Sequence, residues 1–278
     1  MLVNLKEVFK YAEENRCAIG AFNTPTLENL RAVLEVAEEL NVPVIIQHAE
    51  MHEKINPIDI IGPVMVALAK TAKVPVCVHL DHGEHIEYAK RCLDYGFTSV
   101  MYDGSLLPYE ENVKNTRAVV ELAHKYGANV EAEIGALAAR EGGESNKGGA
   151  VYTEPDEAKR FVDDTGIDAL ACSFGTAHGV YKEKPKLDFE RIRVIRKLIN
   201  IPLVMHGGSG LSADDYIKAI ECGVEKINYC TYMMKAGYEA LKNDVLSNNY
   251  SLFHRVINNA YLAMKEDALK AMKVFYHK

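Results

Sequence analysis

The stretch VPVCVHLDHG, residues 74–83, predicts a buried β-strand that ends in polar side chains. Its apolar run closes on Asp81 and His82. Two later stretches repeat the design: ALACSFGTAHG contains His178, and in IPLVMHGGSG the apolar run leads directly to His206. Short apolar runs flanked by turn residues favour strands over buried helices. The chain therefore places three histidines at the ends of three predicted strands.

Strand patterns and helix patterns alternate regularly along the chain. The predicted strands are residues 18–23, 42–48, 74–82, 98–104, 128–135, 168–175, 201–208 and 226–231, and a predicted helix follows each. Alternating strands and helices imply a parallel sheet. Eight such units favour a barrel over an open sheet, because only a barrel brings all eight strand ends to one face. We therefore expect an α/β fold, a (β/α)8 TIM barrel that forms a single domain over residues 1–278, with extra C-terminal helices.

Composition and charge exclude several classes of partner. The 278 residues carry a net charge of −7 without a basic block, so we expect no nucleic-acid partner. The longest apolar stretch, residues 60–69, contains Gly and Pro and is far shorter than the roughly 20 residues of a membrane span. The six cysteines are scattered without a C-x-x-C pair, and the N-terminus is unlike a signal peptide. We expect a cytoplasmic protein without membrane contact.

The histidines His82, His178 and His206 are candidate metal ligands. Three imidazoles that leave one coordination position open are typical of catalytic zinc sites. Each could instead be a hydrogen-bonded loop histidine, although three at matched strand ends weaken that alternative. Asp81 could act as a general acid or base, or it could orient an imidazole. For Asp103 we prefer the orienting role.

Further polar side chains lie at or just past predicted strand ends. Glu131 and Glu133 are two residues apart on one predicted strand, so both could face the barrel centre. Glu133 could reach the metal, and the role of Glu131 could be limited to balancing charge. The others are Asn23, His48 and Asn228.

A glycine-rich segment, HGGSGLSADD at residues 206–215, links a predicted strand to a predicted helix. Backbone N–H groups of such loops bind anions, and barrel enzymes often bind phosphate after strands seven and eight. Residues 228–231 could complete this site, and Lys182 could add positive charge. A tight turn without a ligand is the alternative.

The loop ALAAREGGESNKGGAVY, residues 136–152, is rich in glycine and charge, which is typical of a lid that closes over a site. A metal, a carboxylate acid or base, a phosphate site and a lid together indicate chemistry on a phosphorylated carbonyl compound. In such chemistry zinc is a Lewis acid that polarises a ketone and stabilises an enediolate.

Seven segments match the motifs of a known family in order and spacing. They are AFNTPTLE, HLDHGE, SVMYDGS, VEAEIG, GTAHGVY, LVMHGGSGL and KINYCT. On these motifs the chain resembles the class II, zinc-dependent fructose-bisphosphate and tagatose-bisphosphate aldolases over essentially its whole length. The resemblance implies a lyase that reversibly cleaves a ketose 1-phosphate or 1,6-bisphosphate, with fructose 1,6-bisphosphate as the family default. The products would be dihydroxyacetone phosphate and an aldehyde, formed through a zinc-stabilised enediolate.

The resemblance also implies catalytic roles. His82, His178 and His206 would bind Zn2+. Asp81 would exchange a proton with the C4 hydroxyl during C3–C4 cleavage, and Glu141 in the lid would be the base at C3 of dihydroxyacetone phosphate.

The surroundings of the metal and the substrate follow from the same resemblance. Glu133 would lie near an alternative metal position, and Asp103 would support the metal ligands. The residues expected to bind the hydroxyls and phosphate of the triose are Asn23, Gly179, Lys182, Gly207, Gly208, Ser209, Asn228 and Thr231. A monovalent cation, Na+ or K+, often accompanies this phosphate, and the family usually forms homodimers or homotetramers.

Some positions depart from the family pattern. Residues 138–139 are Ala-Ala in place of two lid glycines. Ala49 stands where the fructose enzymes place a Ser for the distal phosphate, and Tyr261 stands where many carry an Arg. One alternative is therefore an aldolase of the same family for a non-standard ketose phosphate that lacks the distal phosphate, with His48 and His52 contacting a different polar end.

Three other interpretations are open. A metal-dependent phosphosugar isomerase or epimerase would stop at the enediolate, although an acid beside a metal ligand favours cleavage. A non-catalytic sugar-phosphate-binding barrel fits poorly with an intact acid and three ligands. A Schiff-base aldolase needs a lysine at a strand's carboxyl end, whereas Lys226 stands at the start of its predicted strand.

Overall fold

The computed structural model describes residues 1–137, 150–181, 183–247 and 252–278. Within these ranges nine strands form one parallel sheet. Strands β2 to β9 close into a barrel in sequence order, because β2 pairs with β9 and β4 pairs with β5. The strands are β1 (Leu2–Val3), β2 (Ile19–Asn23), β3 (Val44–Ala49), β4 (Val76–Gly83), β5 (Ser99–Tyr102), β6 (Asn129–Ile134), β7 (Ala169–Cys172), β8 (Leu203–Met205) and β9 (Val224–Tyr229).

Helices surround the barrel, and in the described ranges one follows each barrel strand. They are α1 (Leu5–Asn15), α2 (Leu27–Leu40), α3 (Ile58–Thr71), α4 (Ile86–Asp94), α5 (Tyr109–Lys125), α6 (Pro155–Thr165), α7 (Phe189–Leu198), α8 (Ala213–Glu221), α9 (Thr231–Ser247) and α10 (Phe253–Phe275), with a short 3₁₀ helix at Glu50–Lys54. The (β/α)8 barrel with extra C-terminal helix expected from the sequence is confirmed. None of the helices in the described part of the chain is long and apolar enough to cross a membrane.

Each predicted strand overlaps an observed one. Strands β7 and β8 are shorter than predicted, because the chain leaves the ladder early to form the loops that carry His178 and His206. One strand was not predicted: β1 pairs with the start of β4, with Leu2 opposite Val76.

Several helix ends follow local caps in the sequence. Ser212 accepts from the backbone N–H of Asp215, whose side chain bonds back to Ser212 in a capping box at the start of α8. Thr26 begins α2 in the same way. At the end of α6, Gly166 adopts a left-handed conformation with φ of 69°, which glycine tolerates at little cost.

Two aromatic residues at the end of α10 pack against and hydrogen-bond to the rest of the barrel. The Phe275 ring is fully buried, and its centroid lies 4.9 Å from that of Tyr216. The Tyr276 hydroxyl accepts a hydrogen bond from Gly20 N at 2.9 Å and donates to Pro43 O at 2.6 Å. These contacts attach the end of α10 to α8, to β2 and to the residue that precedes β3.

The middle of the barrel interior contains polar side chains. His79, Glu131 and Lys226 lie on different strands, and their side chains are fully buried. Barrel interiors are usually filled by branched apolar side chains. The polar layer lies directly beneath the strand ends where the candidate site residues converge.

Candidate active site

The three candidate metal-ligand histidines come together at the carboxyl end of the barrel. His82 Nε2 lies 2.8 Å from His206 Nδ1 and 3.3 Å from His178 Nε2. His82 is the last residue but one of β4, His206 follows β8, and His178 lies on the loop after β7. Their ligand atoms lie within 4.8 Å of one another, so the three imidazoles could hold one metal ion.

An irregular strand end allows two adjacent residues to reach the same site. His82 has a left-handed backbone with φ of 44°, which is uncommon for a residue other than glycine. The register between β4 and β5 shifts between Leu80 and Gly83. The usual alternation of side chains is therefore broken here, and both Asp81 and His82 face the site.

Asp103 orients His82. Its Oδ2 lies 2.6 Å from His82 Nδ1, and its Oδ1 accepts from the backbone N–H and hydroxyl of Ser105. Burial alone would raise the pKa of Asp103, but the hydrogen bonds from His82 and Ser105 outweigh it and hold the pKa well below its usual range. Because the carboxylate accepts from Nδ1, a neutral His82 has its lone pair on Nε2, where a metal could bind.

Two buried glutamates on β6 have different surroundings. Glu131 accepts from His206 Nε2 and from Lys226 Nζ, both at 2.7 Å. Glu133 Oε2 is buried without a hydrogen-bond partner among the described residues. Burial and then the neighbouring Asp103 raise the pKa of Glu133 well above its ordinary value. Glu133 lies close enough to His82 and Asp103 for these three to form a second possible cation site.

Asp81 is held by two amides. Asn23 Nδ2 donates to Asp81 Oδ2 at 2.9 Å, and Asn228 Nδ2 donates to Asp81 Oδ1 at 3.0 Å. Asn23 is in turn oriented by Gln47, whose Nε2 donates to Asn23 Oδ1 at 2.8 Å. Asp81 is only 1% exposed, so its carboxylate faces the pocket with little freedom to move.

Asp81 and most of the predicted substrate-binding residues line the same pocket. Its lining consists of Asn23, Asp81, His178, Gly179, Gly207, Ser209, Asn228, Tyr229, Cys230 and Thr231. Gly208 is not part of the lining, and its carbonyl accepts from the Tyr216 hydroxyl. Glu141, Lys182 and residues 138–139 lie outside the described residues.

The glycine-rich loop is built for close backbone approach. Gly207 has φ of 64°, and a Cβ at this position would lie 2.6 Å from the backbone carbonyl of Ala177. Ser209 Oγ accepts from Cys230 N, which joins the loops after β8 and β9. At the start of α8 the Ser212 side chain accepts from one backbone N–H, that of Asp215, and α9 begins at Thr231 in the pocket lining. Backbone N–H groups at the start of α9 therefore border the pocket, where they could bind an anion.

Tyr181 is a positioning residue that the sequence did not single out. Its hydroxyl donates to Gly207 O at 2.7 Å and accepts from Ala177 N at 3.0 Å. It therefore ties the loop carrying His178 to the loop carrying His206. An aromatic residue three positions after His178 was the available signal.

The residues that depart from the family pattern lie at two places. Ala49 ends β3 opposite Asp81. The residue before it, His48, is fully buried, and neither of its ring nitrogens has a partner among the described residues. The ring centroid of His48 lies 5.8 Å from that of His52. The Tyr261 hydroxyl, by contrast, donates to Glu35 in the contact between α2 and α10.

A model of the family described as class II fructose-bisphosphate aldolase matches residues 3–278. The chain belongs to this family of lyases. It is 40% identical over 281 aligned residues to a fructose-bisphosphate aldolase of Staphylococcus aureus, covering 99% of this chain and 97% of that protein.

Solved structures of aldolases share the fold. The YdjI aldolase of Escherichia coli K12 superposes with a TM-score of 0.89 at 34% identity, covering 99% of this chain and 97% of the other. The fructose-bisphosphate aldolase of Campylobacter jejuni gives a TM-score of 0.81 at 25% identity, covering 99% and 95%. The class II aldolase family generally depends on a metal, and the histidine cluster offers this member a suitable donor set.

Proposed function

We propose that this protein is a zinc-dependent aldolase that reversibly cleaves fructose 1,6-bisphosphate into dihydroxyacetone phosphate and an aldehyde. The observation that carries the proposal is the convergence of three imidazole nitrogens, because one of these histidines, His178, lines the same pocket as the buried carboxylate of Asp81. Membership of the class II family supports the same activity.

The donor set fits zinc. Zinc prefers nitrogen ligands, and three histidines leave a position for substrate. His82 would bind through Nε2, because its Nδ1 faces Asp103. His206 would bind through Nδ1, because its Nε2 faces Glu131. When bound, the ion supplies a Lewis acid that polarises the substrate carbonyl.

Asp81 is proposed to move the proton at the C4 hydroxyl. Its two oxygens accept from Asn23 and Asn228, which hold the carboxylate at one position. In cleavage the carboxylate takes the hydroxyl proton as the C3–C4 bond breaks, and in condensation it returns that proton. Glu141 is proposed as the base at C3.

The glycine loops are proposed to bind the triose phosphate. Backbone N–H groups at residues 207–209 and at the start of α9 suit an anion, and Lys182 is proposed to add positive charge. Glu133 is proposed as a ligand at a second metal position with Asp103. A monovalent cation, Na+ or K+, is proposed beside the phosphate.

Three wider properties belong to the same proposal. Residues 1–278 would act as a single domain, the chain would assemble as a homodimer or homotetramer, and the enzyme would work in the cytoplasm on a small sugar phosphate. We expect no nucleic-acid partner, in line with the net charge of −7.

The test is release of dihydroxyacetone phosphate from fructose 1,6-bisphosphate, tagatose 1,6-bisphosphate and fructose 1-phosphate, each with EDTA and then with zinc restored. We expect zinc-dependent release that is fastest from fructose 1,6-bisphosphate. Faster release from the monophosphate would assign a substrate without the distal phosphate. Ketose interconversion without any release would replace cleavage by isomerisation or epimerisation.

A further inference from the structure

The barrel interior contains an ion pair with no direct part in the proposed proton transfers. Lys226 Nζ on β9 lies 2.7 Å from Glu131 Oε2 on β6, and both side chains are fully buried. Replacing a buried ion pair by apolar residues of similar volume is often neutral or stabilising. Stability alone therefore does not explain why this pair lies inside the barrel.

The other oxygen of Glu131 contacts a proposed metal ligand. Glu131 Oε1 lies 2.7 Å from His206 Nε2. A carboxylate only accepts hydrogen bonds, so Nε2 carries the proton and Nδ1 keeps its lone pair. His206 Nδ1 is the nitrogen that faces the cluster, 2.8 Å from His82 Nε2. The contact with Glu131 therefore selects the tautomer of His206 that can bind a metal.

Lys226 determines which carboxylate oxygen of Glu131 is left to accept from His206. An ammonium only donates, so Lys226 occupies Oε2 and leaves Oε1 for His206. His79 Nε2 approaches Oε2 only to 3.8 Å, and His79 Nδ1 is engaged by Ser99 Oγ at 2.7 Å. We propose that Glu131 and Lys226 are positioning residues that together present His206 Nδ1 to the metal. This inference rests on the proposed metal-dependent function.

Two double variants separate this role from a purely structural one. Glu131→Gln/Lys226→Met and Glu131→Leu/Lys226→Met both remove the buried charges, and they differ only at the end of side chain 131. The Gln amide can turn its oxygen toward His206 Nε2, whereas Leu cannot accept a hydrogen bond. With Co2+ alone as the probe, we expect the Leu variant to bind about 10–100-fold more weakly than the Gln variant, the usual range for a lost contact behind a metal ligand.

The single variant Glu131→Gln tests the role of Lys226, because the lysine should hold the new amide in the opposite orientation. Lys226 would then hold the amide oxygen, and the amide NH2 would face His206 Nε2. That nitrogen would have to accept, which moves the imidazole proton to Nδ1 and blocks metal binding. We expect Glu131→Gln to bind Co2+ at least about 10-fold more weakly than wild type, and addition of Lys226→Met to restore most of the affinity.

Affinity is measured by competition with a chromogenic chelator, and the visible spectrum of bound Co2+ reports its ligand geometry. Thermal unfolding of the metal-free proteins identifies the variants that fold. Ser99→Ala is the control, because it removes a buried hydrogen bond to His79 without touching His206, and it should bind Co2+ as wild type does.

Equal affinities and spectra for the two double variants would overturn the positioning role and leave the metal-dependent function intact. A wild-type protein that binds no Co2+ would instead defeat the proposed function. If either double variant fails to fold, the comparison of Glu131→Gln with wild type decides, and an unchanged affinity there would also overturn the positioning role.

Discussion

Replacing Asp81 by Asn removes the proposed proton-transfer group and preserves its shape. Asp81 accepts from Asn23 at 2.9 Å and from Asn228 at 3.0 Å, so both carboxylate oxygens are held by N–H donors. An amide at this position cannot exchange a proton with substrate at neutral pH, and its NH2 would face one of the two donors. The substitution therefore acts on the chemistry and on the local hydrogen bonds.

The two effects have different sizes and different readouts. A general acid or base contributes about 10²–10⁴-fold to the rate, which is about 2.7–5.5 kcal/mol of activation free energy. The lost hydrogen bond costs about 1–3 kcal/mol, which falls on folding stability. We expect Asp81→Asn to lower kcat by roughly 10³-fold and to leave KM almost unchanged, because the proposed proton transfer takes place in the transition state.

The assay follows dihydroxyacetone phosphate release by coupled NADH oxidation, on zinc-loaded protein of measured metal content. Asp59→Asn makes the same chemical change at an exposed carboxylate paired with Arg91, and it should keep the wild-type kcat. A kcat reduction of less than about tenfold at full metal content would refute the assignment of Asp81.

Three further predictions concern the end of α10, a glycine of the pocket and a buried histidine. Tyr276→Phe removes hydrogen bonds to two buried backbone groups, so the free energy of unfolding in urea should fall by about 2–4 kcal/mol, and an unchanged midpoint would contradict this. Gly207→Ala places a Cβ 2.6 Å from backbone atoms and should abolish most activity. Gly127 also has a left-handed backbone, but no atom lies within 4 Å of the position of its added Cβ. Gly127→Ala should therefore cost only about 1–2 kcal/mol of stability. Burial, and then the neighbouring His52, lowers the pKa of His48 to about 4. The unfolded chain therefore binds this proton first as the pH falls below about 6.5, and up to about 3 kcal/mol of stability is lost by pH 4. His48→Gln should reduce that pH dependence of unfolding, and identical dependence in both proteins would contradict the assignment.

The barrel could be predicted from the sequence alone, because the sequence patterns that indicate strands and helices are local. Apolar runs, helix periodicity and glycine stops recur within a few residues, and they placed all eight barrel strands. The approach of His82, His178 and His206 followed, because strand ends of a closed parallel barrel meet at one face. Strand β1 was missed, because two residues carry too little pattern and its position depends on pairing with β4.

Only the tertiary structure decided how the site residues are held. Lys226 was expected at the start of its strand, but β9 begins at Val224, which places the lysine inside the barrel against Glu131. The hydroxyl of Tyr181 likewise bridges two loops that are remote in sequence. Such contacts depend on strand register and on barrel closure, which set the distance between residues that no local pattern relates. Composition and spacing therefore determined which side chains reach the carboxyl face of the barrel, and closure of the barrel determined which nitrogens of His82 and His206 face each other in the cluster.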